Sequence, residues 1–121
     1  MKYPYIDKKS VVSNGSTIRD VELDPVPKNA RIEITHLSAH FDNIGTNEGV
    51  QFYVKRGGTD YALGCIKTKI TNFTVEFPCT VFISEGDILW GNYNTAANTE
   101  VMTLSAFGLM YYVDPETGKE I

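Results

Sequence analysis

The chain has 121 residues, 42% of them hydrophobic and 21% charged, with a formal net charge of −4 at pH 7 and a pI near 5.1. That is the composition of one globular domain with its own core, not of a disordered segment. The lysines and arginines are scattered, with Lys8-Lys9 and Lys55-Arg56 only doublets, which speaks against binding nucleic acid by neutralising phosphates.

No apolar run is long enough to span a bilayer, so no membrane association is expected. The opening Met1-Lys2-Tyr3-Pro4-Tyr5 lacks the apolar stretch of a secretory leader, and a cytoplasmic product is expected. Asn14-Gly-Ser and Asn72-Phe-Thr match a glycosylation pattern that also arises often by chance.

No segment keeps a helical period. β-Branched and aromatic residues come in short runs separated by turn residues, which predicts an all-β chain. Residues 1–16 are expected to form an arm and a first hairpin. In the arm, Tyr3, Tyr5 and Ile6 are the apolar contacts to a partner. Asn14-Gly15, between Val11-Val12 and Thr17-Ile18, is the hairpin signal.

The sandwich is expected over 17–113. Asp24-Pro25-Val26-Pro27 cannot continue a central strand, because proline lacks the ladder donor. In Arg31 to Phe41, Ile32 and Ile34 share one parity while Leu37, Ala39 and Phe41 share the other. One regular strand cannot bury both sets, so a bulge is expected near Thr35-His36, after which His36, Ser38 and His40 point outward.

A polar loop over 42–49 leads to Val50, Phe52 and Val54, a half-buried strand that turns at Gly57-Gly58 into a partner over 61–67. Phe73, Val75, Phe77 and Cys79 alternate with polar residues, and Pro78 predicts an edge strand or a bulge. A hairpin centred near Asn72 would set Cys65 opposite Cys79. Both are expected as small buried side chains, although that geometry also permits a disulfide. Ser84 to Asp87 is a tight connection to a strand over 88–93, and a polar loop over 94–99 follows.

The last strand, over 100–112, is apolar on both parities, and 114–121 is a polar tail. One face of that strand meets the core. The other needs a cover, for which another subunit is the simplest candidate. Met102, Leu104, Ala106, Met110 and Tyr112 are the expected oligomer interface, and Leu104→Asp is expected to break the assembly.

Chemistry is thinly represented. His36 and His40 lie on one strand about 13 Å apart at about 3.3 Å per residue, too far for one metal, so no metal or other cofactor is expected. No Gly-x-Ser-x-Gly elbow, phosphate loop or catalytic carboxylate pair outside turns is present, so no enzymatic activity is expected. Tyr53, Trp90 and Tyr93 are candidates for an exposed aromatic platform that stacks on a sugar ring. The other reading is ordinary packing.

The segment Val81-Phe82-Ile83-Ser84-Glu85-Gly86-Asp87-Ile88-Leu89-Trp90, followed by Val101 to Leu109, resembles the C-terminal hairpin and final strand of tumour necrosis factor-like and complement-type globular heads. That resemblance implies a jelly-roll sandwich of roughly eight strands and a homotrimer. The small acidic domain with its arm is also similar to virion-associated domains of tailed bacteriophages. This implies a decoration or head-fibre module that binds a capsid or other virion protein. The alternative is a carbohydrate- or receptor-binding tail-fibre module with a glycan as partner.

Overall fold

The computed structural model describes residues 1–17, 19–41, 49–66, 74–93, 96 and 98–121, Phe41 by its backbone alone. Eight strands carry the fold: β1 (Tyr3–Asn14), β2 (Asp20–Glu22), β3 (Ala30–Phe41), β4 (Val50–Arg56), β5 (Thr59–Ile66), β6 (Thr74–Ser84), β7 (Ile88–Asn92) and β8 (Asn98–Tyr112). They form two antiparallel four-stranded sheets, ordered β1-β8-β3-β6 and β2-β7-β4-β5. Pairing runs from the ends inward, β1 with β8, β2 with β7, β3 with β6 and β4 with β5. A long antiparallel ribbon wound in this way is a jelly roll, and the chain is an all-β sandwich of that kind.

The core lies between the sheets. Ile32, Ile34, Leu37, Ala39, Met102, Leu104 and Ala106 enter it from the first sheet, and Val21, Val50, Phe52, Val54 and Leu89 from the second. β4 shows why the sequence folds this way: Val50, Phe52 and Val54 are buried while the residues between them face out, the period-two pattern of a half-covered strand. The Gly57-Gly58 turn joins β4 to β5 with positive φ at both residues, as a tight hairpin matched to strand twist requires.

The expected bulge in β3 is present. Register shifts between Ile34 and His36 against both neighbouring strands, and Thr35 donates a hydrogen bond to the Phe107 carbonyl at 3.1 Å. This switch lets both parities of β3 bury their apolar residues on one face. Pro78 lies on β6, an edge strand, as its missing donor demands.

Four expectations are corrected. Residues 3–14 are not an arm but a full strand, paired with β8 from Tyr3↔Met110 onward. Tyr5 turns inward against the core, Ile6 faces out, and Tyr3 is exposed. The alternation in β1 is polar enough to read as an arm, yet β8 supplies the backbone partners that hold it. Asn14-Gly15 closes no hairpin, because β1 and β2 belong to different sheets. The Asn14 side-chain oxygen instead accepts from Ser16 N at 2.9 Å and Thr17 N at 2.8 Å, redirecting the chain between sheets.

Cys65 and Cys79 are not opposite each other. They sit on β5 and β6 in different sheets, both free, with Cys65 exposed; Asn72 lies outside the described residues. Met102, Leu104 and Ala106 are fully buried in the chain's own interior, and Met110 packs partly buried against it, so this set does not form an outer interface; only Tyr112 is exposed. β8 is a central strand, and its even parity points at the second sheet.

The tail is held as well. Val113 bridges Glu120, and Asp114 accepts from Glu116 N at 2.8 Å within the turn between them. Among the described residues no helix is long and apolar enough to cross a membrane.

Candidate functional site

The outward face of the first sheet carries an ordered arrangement of polar side chains. Its middle rows are built from small hydroxyl residues: Ser38 on β3, and Thr103 and Ser105 on β8, all buried although they point away from the core. Longer side chains on the flanking strands enclose them, Lys8 on β1, and Thr74 and Glu76 on β6, with His40 beside them. Short residues between long ones leave an open trough of about 470 Å³, closed at one end by Ile6 and Phe107.

Within the trough Ser10 and Thr103 share a hydroxyl–hydroxyl hydrogen bond of 2.8 Å. His40 Nδ1 is hydrogen-bonded to Thr74 Oγ1 at 3.3 Å. His36 stacks on Phe107 at 4.4 Å between centroids and approaches Glu76 Oε2 at 3.4 Å through Nε2. The hydroxyls of Ser38 and Ser105 and the ammonium of Lys8 have no side-chain partner among the described residues. The floor therefore offers open donors and acceptors. Among the described residues no three His, Cys, Asp or Glu side chains gather as a metal would need.

Beyond the trough the same face turns apolar. Ile6 is 68% exposed, Phe82 61%, Val12 56% and Leu109 36%. Pro4 pairs with Leu109 and Ile6 with Phe107, so these four adjoin at one end of the sheet; Phe82 lies across Glu33 from Leu109, and Val12 lies at the other end beside Val101. Adjoining exposed apolar residues on a sheet whose core is already filled mark a surface built for contact.

Of the expected platform, two residues come together. Tyr53 and Trp90 are register partners on the outer face of the second sheet and stack at 4.4 Å with planes 16° apart. Trp90 Nε1 donates to Asp60 Oδ1 at 2.9 Å, and Tyr53 OH donates to Gln51 Oε1 at 2.6 Å. Each ring spends one face on the other. Tyr93 is not part of this group. It is fully buried, donates its hydroxyl to the Thr103 carbonyl at 2.6 Å, and burial pushes its phenol far above the usual range. Burial, with Asp7 and Asp24 nearby, likewise pushes Tyr5 up to about 12.

Sequence reading missed one polar device. Asp87, buried in the turn after β6, accepts two bonds from Arg56 Nε, at 3.2 and 3.1 Å, one from Arg56 Nη2 at 2.7 Å and one from Ser84 N at 2.9 Å. Arg56 Nη2 also donates to the Phe82 carbonyl at 3.2 Å. The Gly86-Asp87 pair thus clamps the end of β4 in one sheet to β6 in the other. The Gly-Asp signal was visible in the sequence; its partner, distant in the chain, was not. Asp87→Ala is expected to cost about 2–3 kcal/mol, because it removes charge-assisted bonds and strands a backbone donor. Denaturant melting checks this, and a loss below about 0.5 kcal/mol would show that the clamp is idle.

No protein-family model matches the chain, and no curated protein matches it. Solved structures do. Over 94% of its length the chain is similar to 99% of a chain in the acid-stable capsid of the Helicobacter pylori bacteriophage KHP30, with 12% identity and a TM-score of 0.52. Over 88% it is similar to 85% of a chain in the capsid asymmetric unit of cyanophage Pam1, with 16% identity and a TM-score of 0.50. Over 88% it is similar to 97% of the Drosophila NLP core, a structure described for pentamer formation and histone binding, with 10% identity and a TM-score of 0.50. At these identities the likeness is one of fold: a β-sandwich shared over most of the length of each of these chains.

Proposed function

We propose that the chain is a non-enzymatic structural protein of a bacteriophage virion, a decoration- or head-fibre-type module made in the host cytoplasm. It binds the particle as an assembly of copies that join through the outward face of the first sheet. One observation carries the reading: that face exposes Ile6, Val12, Phe82 and Leu109 in a chain whose interior is already filled. The near end-to-end likeness to chains of two phage capsids supports it. Binding of this kind reinforces a shell by burying contacts across subunit boundaries, with no chemical step.

The tumour necrosis factor-like resemblance implies a homotrimer, but the core occupies the even parity of β8, so self-association falls to the opposite parity. Co-sedimentation of the purified chain with capsids formed by the shell protein of the same genome tests the reading. The parent chain is expected in the pellet, and a folded Ile6→Asp, Phe82→Asp variant in the supernatant. Equal pelleting of both, or of neither, would overturn it. Glycan-array binding by the parent, lost on Trp90→Ala, would favour the carbohydrate-binding alternative.

A further inference from the structure

The rows across the first sheet have a symmetry that the single chain does not use. Lys8, Ser105, Ser38 and Glu76 are successive partners across β1, β8, β3 and β6. The rows on either side read Ile6, Phe107, His36, Pro78 and Ser10, Thr103, His40, Thr74. The middle row carries a cation at one flank, an anion at the other, and small hydroxyls between. Lys8 has no ion-pair partner among the described residues, and Glu76 has only the 3.4 Å approach of His36.

We propose that two copies of this chain pack face to face through the first sheet, about a two-fold axis that runs along the strands between β8 and β3. This rests on the self-association in the function proposed above. Such an axis lays β1 of one copy over β6 of the other and β8 over β3. Lys8 then meets Glu76 of the second copy, twice by symmetry. The open hydroxyl of Ser105 meets that of Ser38, each able to donate and accept. Ile6 meets Pro78, Phe107 meets His36, and Thr103 meets His40.

Lys8, which lacks an ion-pair partner in one chain, gains one in two, and the contact is self-complementary, which is the condition for an isologous interface. The trough has a role in this arrangement. Short residues in the middle rows let the two sheets approach, and the long flanking Lys8 and Glu76 side chains of each copy reach into the other's trough. Sheets packed face to face align within about 30°, a rotation that long flanking side chains accommodate. Area suffices as well: four strands at about 4.8 Å spacing and about eleven residues at about 3.3 Å span roughly 700 Å², close to the roughly 800 Å² per partner of a stable interface. A facing sheet would also cover Phe82, opposite Pro4 of the second copy, while Leu109 would lie against the stem of its Glu33.

Charge reversal tests the pairing, and both positions are solvent-facing, so the fold is spared. Sedimentation equilibrium of the full chain is expected to show a monomer–dimer equilibrium. Lys8→Glu alone, or Glu76→Lys alone, should raise the dissociation constant about tenfold or more, since each sets like charges opposite each other twice. The double variant should recover most of the affinity. An equimolar mixture of the two single variants should also associate, because each copy then presents the charge that the other lacks.

A dissociation constant unchanged by Lys8→Glu, a double variant no better than the singles, or a three-fold species would overturn this geometry. If capsid binding survives any of these outcomes, the proposed function stands without it. A chain that stays monomeric at all accessible concentrations overturns both this inference and the self-association on which it rests.

Discussion

Leu104→Asp should yield a chain that does not fold, rather than a folded chain that fails to assemble. Leu104 is fully exposed to the core and not at all to solvent, flanked on β8 by Met102 and Ala106 in the same state. Removing a buried leucine side chain costs about 2–5 kcal/mol through lost burial and the cavity left behind. A carboxylate with no partner at that depth adds several kcal/mol more, as desolvation or as the cost of keeping it protonated. Together these rival the roughly 5–15 kcal/mol that holds a typical domain.

The contrast that makes this informative is Leu109→Asp, on the outward parity of the same strand. It should fold normally and lose association. Circular dichroism and size exclusion read both variants. A native, monodisperse Leu104→Asp would mean that the even parity of β8 faces a partner after all.

Gly108→Ala should cost about 3–5 kcal/mol and lower the melting temperature by roughly 10–15 °C. The reason is contact, not backbone conformation. A Cβ at Gly108 would lie 2.0 Å from the Glu33 carbonyl oxygen, 2.9 Å from its carbon and 3.0 Å from Ile34 Cα. These are backbone atoms of the neighbouring strand and cannot rotate aside. β3 and β8 would have to part beside the bulge between Ile34 and His36, where the ladder is already interrupted. Ladder bonds lost there add about 1 kcal/mol each. Calorimetry decides it; a melting temperature within 2 °C of the parent's would show that the two strands yield more easily than their spacing implies.

Reading the chain for period-two alternation captured elements whose two faces differ in polarity. β4 alternates apolar and polar side chains strictly, and its burial follows. β3 could be seen to need a bulge because its apolar residues change parity at Thr35-His36, and burying both sets on one face demands it. Pro78 pointed to an edge or a bulge, since a regular central strand does not tolerate a missing donor, and β6 is an edge. These are local constraints, and every one of them held.

The failures share a cause too. β1 reads as an arm leading into a hairpin because half its residues are charged or polar, yet it pairs along its length with β8, almost the whole chain away. β8 is apolar on both parities, so its composition cannot say which side meets the core. Asn14-Gly15 and the placing of Cys65 opposite Cys79 were local hairpin inferences, but here most strands pair with distant partners, and β1–β2 and β5–β6 cross between sheets. The Arg56–Asp87 clamp was hidden in the same way.

Local chemistry therefore settled that the chain is all-β, that it turns tightly at Gly57-Gly58 and that β3 bulges, because side-chain period and paired glycines act within a few residues. Which strands pair, which face of β8 is inside, and whether Lys8, Ser105, Ser38 and Glu76 form one row were decided by the ribbon's winding, because pairing between strands far apart in sequence is set by how the whole apolar surface closes and not by any one segment.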